Sequence, residues 1–127
     1  MPDRRAFLRI AASGAIGIAA AGCRAGTEYD MRALAHPELL DSLGPAAVRA
    51  IGTRYRSMNA APRSADDLRE AILASRPFST RFLGAPGPPL AQLVRDDFAN
   101  GRTVVVDGWI LSATEARQCA LFSLQPA

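Results

Sequence analysis

Four carboxylates towards the C-terminal end, Asp96, Asp97, Asp107 and Glu115, are the groups that could be assembled into a carboxylate site. Paired carboxylates can divide general-acid and general-base work between them. Each of the four also has a plainer use. Asp96 and Asp97 fall near a predicted helix C-terminus, where negative charge is unfavourable, so compensation by Arg95 or Arg102 on the surface is expected. Asp107 precedes Gly108 in a turn signal, and Glu115 stands three residues after Ser112 as a capping acid. Ser57, Ser64 and Ser79 lie in no nucleophile-elbow context. The single histidine, His36, precedes Pro37 and rules out a multi-histidine metal site within one chain. The Gly/Pro-rich stretch at 84–89 lacks the spacing of a phosphate cradle. Tyr55 and Trp109 read as core or interface residues rather than cofactor stackers. No nucleophile, base and orienting group occur together. The sequence therefore assigns no catalytic, cofactor-binding or metal residue, and no catalytic activity of the chain's own is expected.

The elements around these residues are mostly helical. Pro37 suits the first helical position, and Glu38, Leu39, Leu40 and Leu43 follow before a stop at Gly44. Pro45 starts a second helix with the apolar stripe Val48, Ile51, Tyr55 and Met58, ended by 59–62. Ser64 caps a third, with Leu68, Ala71 and Ile72 inward, Arg76 at its C-terminal end and Pro77 as its stop. Residues 78–89 read as a loop, with the Gly/Pro-rich part as a hinge. A fourth helix runs from about Pro89 to Ala99, with Leu90, Leu93, Val94 and Phe98 inward and Asn100-Gly101 supplying its left-handed end.

The period then changes. Residues 103–106 and 109–112 are β-branched or apolar runs flanking Asp107-Gly108, a type I′ hairpin signal. A two-residue turn pairs Val106 with Trp109 and Val104 with Leu111 on one face, and Val105 with Ile110 on the other. Both faces are apolar, so the hairpin is covered on two sides by its own helices or leaves one face for a partner. Ser112-Ala113-Thr114-Glu115 is a capping box opening a last helix to about Leu124, central to the fold. The fold class is thus mainly α: a small orthogonal helical domain of about five helices with one C-terminal β-hairpin.

Charge adds little. The chain carries 15 basic residues, all arginine, and a net charge of +3. Residues 1–22 hold three of the arginines and one aspartate, so the remainder has a net charge of +1. No basic cluster with interleaved aromatics marks nucleic-acid binding.

The first 23 residues are more specific. Arg4-Arg5, then Phe7-Leu8 after one spacer, then Arg9, precede an Ala/Gly-rich apolar run from Ile10 to Ala21 that is too short to span a bilayer. This resembles a twin-arginine (Tat) export signal, with Asp3 in place of Ser and Arg9 in place of Lys. The segment Ala20-Ala21-Gly22-Cys23 resembles a lipoprotein processing site, though Ala20 replaces the usual Leu, leaving simple cleavage after Ala21 as the alternative. Lipidation of Cys23 would tether the domain to a membrane and leave Cys119 without a disulfide partner. An unmodified Cys23 could bridge to Cys119, which otherwise reads as a small buried hydrophobe. The expected organisation is a removable signal over residues 1–22, a lipidated Cys23 with a tether over 23–31, and a single domain over 32–127.

The run from Asp97 to Leu121 is similar to the C-terminal portion of small Tat-exported bacterial proteins of no assigned activity. That resemblance implies a shared helix–hairpin–helix element. The combination of signal, size and helicity also resembles small subunits of membrane oxidoreductases such as the gluconate-type dehydrogenases. It implies a membrane-tethered periplasmic accessory subunit, with the Tat translocase, the lipid bilayer and a larger oxidoreductase subunit as partners. The alternative is a stand-alone envelope lipoprotein that binds a ligand or a cell-envelope component. The residues expected at a partner interface are Val105, Val106, Trp109 and Ile110.

Overall fold

The computed structural model describes residues 29–126. The export motif (Arg4, Arg5, Phe7, Leu8), Cys23 and the signal over 1–22 lie outside the described residues. The elements run α1 (Met31–Leu34), α2 (Leu39–Leu43), α3 (Pro45–Arg56), α4 (Ala65–Ala74), α5 (Phe78–Leu83), α6 (Leu90–Ala99), β1 (Thr103–Val106), β2 (Trp109–Ser112) and α7 (Ala113–Ser123). The fold is mainly α with a C-terminal antiparallel hairpin, as the periodicity predicts. Two short helices, α1 and α5, exceed the expected set. Residues 78–83 were expected in a loop, but Pro77 leads into them in extended conformation and Gly84 closes them at φ 72°. One turn and a half of helix offers too few periods to read as a pattern.

The last helix organises the core. Its capping box is complete: the Ser112 hydroxyl accepts from the Glu115 N–H at 2.9 Å, and the Glu115 carboxylate accepts from the Ser112 N–H at 3.0 Å. Ala116, Cys119, Ala120 and Leu121 are buried, and α7 packs most extensively on α3. The small side chains let the two helices close in, and Gly52 sets how far. A Cβ there would overlap the Cys119 backbone carbonyl. Val48, Ile51 and Tyr55 flank this contact from α3, and Leu68 and Ile72 add the buried face of α4. Arg49 holds the end of α7, donating to the carbonyls of Ser123 at 3.3 Å and Gln125 at 2.7 Å. A cation beside those carbonyls is also favoured by the helix dipole.

The N-terminal boundary shifts. The tether was expected to reach residue 31, yet Tyr29 is a core residue and the Asp30 carboxylate caps α1 by accepting from the Ala33 N–H at 2.8 Å. The Tyr29 ring lies over Gly87, where a Cβ would collide with it, and its hydroxyl donates to the Pro88 carbonyl. This long-range anchor leaves no periodic trace in the sequence.

Candidate functional site

The hairpin turns where the sequence indicates, with Asp107 at φ 49° and Gly108 at φ 84°. Positive φ at both central residues is the requirement of the type I′ turn. The register pairs Val106 with Trp109, Val105 with Ile110 and Val104 with Leu111. Val106 and Leu111 are buried against the helices, while Val105 is 59% and Ile110 67% exposed. Trp109 shares the inner face with Val106 by register but stands at the turn end, 47% exposed. Val106 is therefore part of the chain's own core and drops out of the expected interface; Val105, Ile110 and Trp109 remain accessible. Arg54 of α3 and Asp107 of the turn form an ion pair at 3.4 Å, steadying the tip against the helical layer. Both side chains are exposed, so its contribution is small.

The root of the hairpin is held by a buried carboxylate. Asp97 is 1% exposed, and its carboxylate accepts from Arg102 Nε at 3.0 Å and from the Thr114 backbone N–H at 2.8 Å. Arg102 was expected as a surface counter-ion; it does pair with Asp97, but the aspartate lies inside. The apparent conflict of an acid near the end of α6 is resolved by the next helix: Asp97 accepts from the Thr114 N–H in the first turn of α7, where negative charge is favoured. Backbone bonds complete the junction. Arg102 N–H donates to the Asp97 carbonyl at 2.8 Å, and Ala113 N–H donates to the Arg102 carbonyl at 3.0 Å. Phe98, expected inward, is half exposed instead, because the α6 face continuing from Leu93 carries Asp97 into the core.

The other carboxylates have structural partners of their own. Asp96 accepts from Gln92 Nε2 at 2.8 Å, and Glu115 completes the capping box. Among the described residues, no group of three or more His, Cys, Asp and Glu side chains is placed to hold a metal ion. The Cys119 thiol is pushed up to about 12, by burial first and by the Glu115 charge second. A thiol held protonated in this way is a poor nucleophile. A cleft of about 300 Å³ opens beside the α7 N-terminus, lined by His36, Glu38, Leu90, Val94, Glu115 and Gln118.

The chain matches no protein-family description, no curated protein and no solved structure.

Proposed function

We propose that this chain is a membrane-tethered periplasmic accessory subunit, delivered by a twin-arginine signal, that acts by protein–protein contact with a larger oxidoreductase subunit. The bare Val105/Ile110 pair carries the reading. Two aliphatic side chains opposed on one sheet face, next to a half-exposed tryptophan, form a surface whose burial by another protein is favourable, with the tryptophan as its aromatic anchor. A partner gripping the hairpin tip meets Val105 and Ile110 on one side and Trp109 on the other. A stand-alone envelope lipoprotein is the second reading, favoured by the cleft between α6 and α7.

Affinity isolation from native membranes tests the proposal. The protein should bring down a larger redox subunit in near-stoichiometric amount, and Val105→Ser with Ile110→Ser should abolish that recovery while leaving the fold intact. A monomeric protein with no companion would favour the stand-alone lipoprotein. For the export half, Arg4→Lys with Arg5→Lys should hold the chain in the cytoplasm; efficient export of that variant would refute it.

A further inference from the structure

A second exposed apolar surface lies on α5. Phe78 is 65%, Phe82 62% and Leu83 71% exposed, and the two phenylalanine rings sit 4.8 Å apart. None of the residues of α5 is buried, and the helix shares no extensive packing with any other described element. Arginines accompany the rings. The Arg81 guanidinium lies 4.9 Å above the Phe82 ring, and Arg76 lies 5.5 Å above Tyr29. The groove beside α5 is lined by Arg69, Arg76 and Thr80 together with Tyr29, Asp30 and Gly87. Arg69 and Arg76 thus line the groove with a single carboxylate, Asp30.

The same groove is where the N-terminal segment joins the domain. Tyr29 is pinned to Gly87 and Pro88, just beyond the C-terminal end of α5. Cys23 is six residues before Tyr29, and an extended chain of that length spans at most about 20 Å. A domain of this size is roughly 35 Å across, so an anchor at Cys23 must turn the Tyr29 side towards the bilayer. Aromatic rings at headgroup depth with arginines beside them are the composition of an interfacial contact, and the cations match anionic headgroups.

We propose that α5 is a membrane-docking helix: Phe78, Phe82 and Leu83 enter the interfacial layer of an anionic bilayer while Arg76 and Arg81 contact lipid phosphates. This rests on the tethered reading for its geometry, but the contact itself has a separate readout. The exported, processed protein carrying Phe82→Trp in a Trp109→Phe background is reconstituted into phosphatidylglycerol-containing vesicles with lipids brominated in the upper acyl chain. Mass spectrometry of the N-terminus establishes whether Cys23 bears lipid. Strong quenching of the residue-82 tryptophan is expected. Absence of quenching in protein that does carry lipid on Cys23 would overturn the docking helix and leave the tether standing. In the unlipidated Cys23→Ala protein, Phe78→Ser, Phe82→Ser and Leu83→Ser together should weaken vesicle binding by about tenfold or more, as loss of interfacial apolar area requires. Unchanged binding of that variant, with its helical circular dichroism retained, would equally refute the proposal. If Cys23 proves to carry no lipid, the serine comparison decides alone, and the docking helix stands or falls independently of the tether.

Discussion

Val106 and Leu111 on the inner face of the hairpin are buried, whereas Val105 and Ile110, each one residue away, are the bare residues of the outer face. Side-chain type does not separate them: valine and a branched aliphatic occur on both. What separates them is the helical layer, which touches both strands through α7 and lies on one side only. A strand pair built apolar on both faces but covered on one has spent half its hydrophobic surface on folding and holds half in reserve. The comparison predicts that the two faces respond to substitution in different ways, one in stability and the other in association.

The largest effect belongs to the inner face. Leu111→Ala should cost about 2–5 kcal/mol in urea unfolding, since it empties a site enclosed by α7 and α6. An inner-face cost as small as that of an outer-face change would break the comparison. Asp97→Ala should cost about 1–3 kcal/mol by leaving the Thr114 N–H buried and unpaired, and Asp97→Asn should recover part of it. Gly108→Val should cost about 1–2 kcal/mol, wholly as backbone strain. A Cβ at Gly108 meets nothing within 4 Å, so relief by repacking is absent.

Cys119 provides a pH-dependent test of the interior. Its thiol is raised from 9.0 to about 12 in the folded chain, so the folded state holds its proton more tightly than the unfolded one. The associated stability is complete below the unfolded value and is lost as pH rises from 9 towards 12. Cys119→Ala should flatten that alkaline fall, and a thiol reagent at pH 8 should modify the wild type only after unfolding. The smallest effect on stability is expected at the outer face: Ile110→Ser should change it by no more than about 0.5 kcal/mol.

The elements that read clearly in the sequence are those whose cause is local. The Asp107-Gly108 turn, the Ser112–Glu115 box, the Val48–Ile51–Tyr55 stripe and the Gly101 helix end each need only neighbouring residues. The misread ones depend on distant partners. Asp97 reads locally as a surface acid because the N–H it serves is 17 positions away, and the burial of Asp97 leaves Phe98 half exposed rather than inward. Gly52 has no local signature because its role is set by the Cys119 carbonyl across the α3–α7 seam. Tyr29 joined the core through Pro88, 59 positions further on. The register pairs Val106 with Trp109 and Val105 with Ile110 as the sequence indicates, but which face the helices cover, and so the place of Val106 in the core, depends on the helical layer.

Site-specific photocrosslinking in intact envelopes tests the central claim most directly. A photoreactive amino acid at Ile110 should form a discrete adduct with one larger redox subunit, and the same group at Glu70, exposed on α4, should form none. No adduct at Ile110, or the same adduct from both positions, would contradict a partner seated on the outer face of the hairpin.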